Sequence, residues 1–279
     1  MATEEKKAAE DNQYDPPIEL QRVLNKEDLE LLEKVNKKYG DRLKPLYPYV
    51  IRTFITGYSH TQEREKETYM RIDHYLDRHD EYKFETILDE NLKNEDKMFD
   101  AWKLYTYGYD KQGHPVLYDE IGSADIKAVE SAFNNDMNLL RKYRFRFHRR
   151  LANCKRIQSE KLGVMLYKHT FIMDLQGFSS SHFGSNYRQI VKEIIGDEQN
   201  VFPETLYVMF LINTPWAFRM IWKIVGNFID PITYDKIKVL GTDYLDEMKK
   251  FIAIDQIPPK YGGKGKIPIK LGHCSDLPH

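Results

Sequence analysis

The hydrophobic period of this chain changes at Ala101, and that change divides what the sequence can fold into. From Ile18 to about Asp100 apolar residues return every three or four positions, as in Leu29, Leu32, Val35 and Tyr39, then Tyr69, Ile72, Tyr75 and Leu76, with charges between them. Such spacing buries one stripe of an amphipathic helix. Past Ala101, Trp102 to Tyr107 and Pro115 to Tyr118 are rich in strand-favouring residues, and Asp110-Lys111-Gln112-Gly113 between them has turn chemistry, which predicts a hairpin. Leu140, Tyr143, Phe147, Leu151 and Cys154 form a helical stripe, predicting one long helix from about Asp125 to Ile157. Short apolar runs at Leu166 to Met173 and Tyr207 to Ile212 read as strands, with a helix from Ser185 to Ile195 between them. Strands alternating with helices imply an α/β fold, a mixed and largely parallel sheet covered by helices, preceded by a helical lobe.

A chain of 279 residues is long enough for a lobe and a core domain. Residues 1–17 are charged and small and end in Pro16-Pro17, the composition of a solvated tail. The expected division is a tail at 1–17, a helical lobe at 18–100, the α/β domain at 101–264 and a short tail at 265–279. The first residues carry no apolar signal segment, and no apolar run approaches the ~18 residues of a spanning helix. Two cysteines, Cys154 and Cys274, are too few for a disulfide framework and lack metal-ligand spacing, which fits a reducing cytoplasm. Lys and Arg total 42 against 43 Asp and Glu, so no global field draws the chain to nucleic acid.

The segment from Trp216 to Phe228 is apolar on most of its circumference. Phe218, Trp222 and Val225 make one stripe, and Arg219, Lys223 and Asn227 another. A helix of this kind is either buried on most sides or touches lipid. After it, Asp230 can cap a helix, Pro231 suits its first position, and Thr233 and Lys236 fall three apart on one face. A hydroxyl and an ammonium held together can grip a phosphate, and Glu204 can accept hydrogen bonds from vicinal sugar hydroxyls. Taken singly, Thr233 is part of a first turn, Lys236 a solvated cation and Glu204 a surface carboxylate.

Four segments join these residues: Asp174-Leu175-Gln176-Gly177-Phe178-Ser179, Gly113-His114-Pro115-Val116, Phe202-Pro203-Glu204, and Ile257-Pro258-Pro259-Lys260-Tyr261-Gly262-Gly263. In this order they resemble the CRAL-TRIO family of phosphatidylinositol/phosphatidylcholine transfer type, over roughly residues 45–264. The resemblance implies a CRAL-TRIO domain around a lipid pocket, with Glu204, Thr233 and Lys236 at the inositol-headgroup positions. It implies further that Phe218, Trp222 and Val225 lie on the acyl-facing side of a gate helix. At the positions of the family's choline site Tyr143 is kept, while His169 and Phe171 stand for a hydroxyl pair and Leu117 for a tyrosine. Its basic cluster falls here on Ile55-Thr56-Gly57-Tyr58. The implied function is therefore binding and exchange of a glycerophospholipid, phosphatidylinositol before phosphatidylcholine, by a non-enzymatic protein. Phospholipid would be cargo rather than cofactor, membrane contact transient and peripheral, the location cytoplasmic and the protein monomeric. Two rival functions are a carrier of another hydrophobe, such as a terpenoid or haem, and a lipid-regulated module that presents lipid to an enzyme.

Elsewhere the chain offers less. Residues 141–150 carry six Lys and Arg side chains with interleaved aromatics, either a docking face for anionic headgroups or a solvated face paired with acids. No nucleophile elbow, phosphate loop or paired-histidine motif is present, and His74 and His79 are five apart, so they diverge on a helix.

Overall fold

The computed structural model describes residues 24–44, 46, 48–58, 61–134, 136–179, 201–216, 231–266 and 268–269, with positions 182, 190, 196, 218 and 222. The helical periodicity becomes α1 (Lys26–Tyr39), α2 (Pro48–Gly57) and α3 (Arg64–Tyr82), followed by α4 (Glu95–Ala101). Asn25 starts α1 with a capping box: its side chain accepts from the Asp28 amide at 2.8 Å, and the Asp28 carboxylate accepts from the Asn25 amide at 3.0 Å. Asp28 also receives the Arg64 guanidinium from α3. Because that carboxylate takes the inward position, the buried stripe of α1 is Asp28, Leu31, Val35 and Tyr39. Leu29, expected in the stripe, is turned out and 49% exposed.

The strands are β1 (Leu104–Tyr109), β2 (Pro115–Asp119), β3 (His169–Asp174), β4 (Leu206–Ile212) and β5 (Ile237–Val239). They form one sheet in sequence order, with β1 antiparallel to β2 and every later pairing parallel. The predicted hairpin is secured by a buried carboxylate. Asp110 Oδ1 accepts the amides of Gln112 and His114, while Oδ2 meets His114 Nδ1 at 2.8 Å and accepts from Thr170 Oγ1 at 2.7 Å. The turn is thereby tied to β3 as well as to itself. Strand β5 went unrecognised in the sequence because it is three residues long with Lys238 at its centre.

The single helix expected over 125–157 is two, α5 (Ile126–Ala132) and α6 (Met137–Leu162). Asn134 between them has φ of 51°, and Asp136 caps α6 by accepting from the Asn138 amide, so turn and cap chemistry overrides the apolar stripe. Helix α6 then runs past the expected end and stops at Gly163, φ 67°. It is buried on three sides. Tyr143 packs with Trp102 and Phe133, Phe145 with the lobe residues Tyr82 and Phe84, and Phe147 and Leu151 against Leu104, Leu117 and Phe171. Cys154, also on α6, is buried and disulfide-bonded, which a reducing compartment does not anticipate; the other cysteine lies outside the described residues.

The basic run of α6 is an internal clasp rather than a free face. Arg146 donates from Nε and Nη2 to the two oxygens of Glu95, both at 2.9 Å, and from Nη1 to the carbonyls of Ile87 and Glu90. Arg150 bonds Glu95, Lys142 pairs with Glu90 and Arg149 with Glu85. Burial alone would push the Glu95 carboxyl up, but the bonds from Arg146 and Arg150 outweigh it and hold it below the usual range.

One face of the sheet is sealed by the end of the chain. Tyr105, Tyr118, Ile172, Val208 and Phe210 pack against Met248, Ile252, Ile257 and Tyr261. The rings of Tyr105, Tyr118 and Tyr261 stack at 5.4 and 5.2 Å, and the Tyr105 and Tyr261 hydroxyls both donate to Glu120. The closing turn fits only without side chains: a Cβ on Gly263 would stand 1.9 Å from the Ile257 carbonyl oxygen.

Candidate functional site

The other face of the sheet is apolar and only partly covered. Register aligns Phe171 with Met209 and Ile237, and Met173 with Leu211 and Val239, so six apolar residues from β3, β4 and β5 form two rows on one side. Of these only Leu211 is fully buried. Residues between them on each strand, such as Thr170, Ile172, Val208 and Phe210, turn to the sealed face. An apolar floor left half-open in this way suits contact with acyl chains.

Polar residues gather where these strands begin. His169 opens β3, and its amide donates to the Thr205 carbonyl at 2.8 Å. Glu204 lies two residues before β4, and Lys236 immediately before β5, where its carbonyl accepts from the Met209 amide at 2.8 Å. Lys236 Nζ stands 3.7 Å from Glu204 Oε2, and the two side chains are only 20% and 19% exposed. Thr233 belongs to the short helix α7 (Pro231–Asp235), and its carbonyl accepts from the Lys236 amide at 3.1 Å. The structure thus brings Glu204, Thr233 and Lys236 to one edge of the apolar floor. Asp230, the expected cap of α7, lies outside the described residues.

The helical lobe approaches the same edge. A Cβ on Gly57, at the end of α2, would lie 3.1 Å from Glu204 Cγ. Next to it, Tyr58 has its hydroxyl pKa raised by burial, and the Arg71 guanidinium lies 5.5 Å from its ring centre. Ile55 is in the lobe core, and Thr56 donates back to the Arg52 carbonyl at 2.9 Å. So the Ile55–Tyr58 segment carries no cation itself, while Arg71 of α3 stands behind it.

A line of aromatic rings crosses from one end of the strands to the other. Phe178, past the end of β3, meets Phe218 at 6.2 Å; Phe218 stacks on Trp222 at 6.1 Å; Trp222 stacks on Tyr234, just ahead of β5, at 6.0 Å. Val225, the third member of the expected stripe, lies outside the described residues. Trp216, at the start of this segment, is 73% exposed. Phe171 and His169 are neighbours at 6.3 Å on β3. Tyr143 sits in another cluster, beside Phe133, where burial raises its pKa and its hydroxyl has no partner among the described residues.

Sequence reasoning overlooked Lys155 and His148. Both line, with His169, a cavity of about 40 Å³ between the lobe and the start of β3. Lys155 reads as one more surface cation of a charged helix, and only its place on α6, beneath the lobe, buries it. Among the described residues no group of His, Cys, Asp and Glu could hold a metal ion, and no helix is long and apolar enough to cross a membrane.

The fold is that of a solved structure titled "Crystal structure of Sfh5", with a TM-score of 0.64 at 17% identity, covering 89% of this chain and 91% of that one. Among curated proteins the chain is similar to a CRAL-TRIO domain-containing protein of Saccharomyces cerevisiae, 28% identical over 66% of this chain and 61% of the relative. It is also similar to the SEC14 cytosolic factor of Candida glabrata, 31% identical over 62% and 57% respectively. A third relative is the phosphatidylinositol/phosphatidylcholine transfer protein SFH7 of Arabidopsis thaliana, 30% identical over 58% and 30%. The chain therefore spans under two thirds of the length of these relatives. The model of the CRAL/TRIO domain matches residues 99–263. Since that stretch holds all five strands, the half-open apolar floor and the polar edge beside it, the chain belongs to the CRAL/TRIO domain family.

Proposed function

We propose that this protein binds a glycerophospholipid, phosphatidylinositol in the first place, and exchanges it between membranes. The observation that carries the reading is the Glu204–Lys236 pair at 3.7 Å on the border of the floor formed by Phe171, Met173, Met209, Leu211, Ile237 and Val239. Lys236 and Thr233 take the lipid phosphate, and Glu204 accepts from inositol hydroxyls. Breaking the ion pair costs little at 3.7 Å, whereas both groups gain charge-assisted bonds to the headgroup. The acyl chains lie along the floor beneath the rings of Phe218 and Trp222. Two chains of about 30 methylenes cost on the order of 20 kcal/mol to expose to water, so such a floor makes transit between bilayers possible.

The relatives named as phosphatidylinositol/phosphatidylcholine transfer proteins and cytosolic factors support this reading. Residues 18–100 act as a lobe docked on a lipid-binding domain of 101–264, with the exposed Trp216 meeting the membrane surface during exchange. The protein works as a monomer in the cytoplasm, touches membranes transiently, uses no cofactor and catalyses no reaction. His169 and Phe171 in place of hydroxyls, and Leu117 in place of a tyrosine, leave a quaternary ammonium without its aromatic box, so phosphatidylcholine is a poor cargo.

The test is fluorescent-lipid transfer between vesicles. Lys236→Ala removes a charge-assisted hydrogen bond of ~1.5–3 kcal/mol, which is an expected loss of roughly 10- to 150-fold in phosphatidylinositol transfer. Unchanged transfer by a folded Lys236→Ala variant contradicts the assignment.

A further inference from the structure

The cavity between the lobe and the start of β3 has a chemistry of its own. Its volume of about 40 Å³ is room for about three waters. Leu46, Val50, Tyr75, Phe84 and Leu151 supply apolar wall, and Lys155, His148 and His169 supply nitrogen. Lys155 is 4% exposed. Its ammonium donates to the Tyr167 carbonyl at 2.8 Å and approaches His169 Nδ1 at 3.3 Å. An ammonium has only hydrogens to offer, so Nδ1 accepts and the neutral imidazole carries its hydrogen on Nε2. Neither the carbonyl nor the imidazole reduces the charge of the ammonium. His148 is held flat against Phe202, ring centres 3.9 Å apart at 15°. Glu85 also lines the cavity, but its carboxylate pairs with Arg149 at 2.9 Å and with His79 at 3.4 Å.

We propose that this cavity is a binding site for a phosphate monoester, gripped by the Lys155 ammonium with His169 and His148. Three oxygens at the end of such a group fill the space of three waters, and a charge between one and two near neutral pH matches an ammonium flanked by imidazoles. Water leaving the cavity is replaced by charge-assisted donors in apolar surroundings, where they are stronger than in solvent. A choline headgroup would bring a second cation against Lys155. Two sources carry the same chemistry: a lipid with a bare phosphate head, its chains passing Phe171 two residues along the same strand face, and free inorganic phosphate. The site is independent of the inositol reading, which rests on Glu204, Thr233 and Lys236.

The experiment uses the full chain. Inorganic phosphate is titrated in by calorimetry, and uptake is measured from vesicles of phosphatidylcholine alone and of phosphatidylcholine with one part in ten phosphatidic acid. Expected is binding of phosphatidic acid, of inorganic phosphate or of both, weakened at least tenfold by Lys155→Met and largely kept by Lys155→Arg. Phosphatidylinositol transfer stays intact in these variants, so failure here is separate from failure of the inositol site. Uptake of phosphatidic acid makes the lipid the source, and binding of inorganic phosphate alone makes it the free anion. His148→Phe keeps the ring on Phe202 without its nitrogens, and reads the site should Lys155→Met not fold. The proposal is overturned if wild type binds neither probe, or if Lys155→Met, or His148→Phe in its place, binds them as wild type does.

Discussion

Arg146→Met tests what the basic run of α6 does. The guanidinium is 4% exposed and makes four hydrogen bonds, two to the Glu95 carboxylate at 2.9 Å and one each to the carbonyls of Ile87 and Glu90. Removing one partner of a buried ion pair costs ~3–5 kcal/mol because the other charge stays behind. Glu95 would keep Arg150 at 2.8 Å, which argues for the lower end. Two carbonyls losing a donor each add on the order of 1 kcal/mol. The expected cost is therefore about 3–4 kcal/mol. Unfolding entropy near ~2.1 cal/mol/K per residue gives about 0.6 kcal/mol/K for a chain of this length, so the Tm falls by roughly 5–7 °C. Calorimetry at neutral pH, checked by urea denaturation, measures it. The double variant Glu95→Met/Arg146→Met removes the stranded carboxylate and should recover a good part of the loss. A folded Arg146→Met protein within about 1 °C of wild type would refute the clasp and return the run to the solvated face that sequence alone allowed.

Other outcomes follow from the same geometry. The Glu95 and Glu85 carboxyls are held below their ordinary value of 4.5, Glu95 by Arg146 and Arg150 against its burial and Glu85 chiefly by its bond with His79. A depressed carboxyl stabilises the fold above its unfolded pKa, so this contribution is complete at neutral pH and is lost as pH falls below 4.5; acid titration of the Tm should show the loss in wild type and less of it in Glu95→Gln. Purified protein should show no Soret band, because His169 Nδ1 faces the Lys155 ammonium and the ring hydrogen occupies Nε2, leaving no nitrogen lone pair for haem iron; a haem spectrum that persists through purification and disappears in His169→Ala would refute that. Gly263→Ala forces a Cβ to 1.9 Å from the Ile257 carbonyl, so the closing turn must shift and denaturant midpoints should fall by ~1–3 kcal/mol, whereas an unchanged midpoint would show that the turn is not held against the sheet.

The sequence by itself determined the order of elements and the chemistry at one edge of the sheet. The period change at Ala101, the Asp110–Gly113 turn and the two apolar runs around His169 and Tyr207 act over a few residues, where local geometry decides. Glu204, Thr233 and Lys236 were legible as a set because they fall where β4 and β5 begin, and parallel strands bring such positions to one edge. Only tertiary structure decided what the charges of α6 do. Arg146 and Glu95 are 51 residues apart in sequence, and nothing local distinguishes a cation that meets such a partner from one that meets water. Lys155 is the same case: an ammonium on a charged helix looks solvated until the lobe is laid over it. Asp28 and Leu29 show the limit within a single turn, where the Arg64 pairing turned the carboxylate in and the leucine out. Periodicity records how much of a helix is buried, but which face turns inward depends on what another element brings to it.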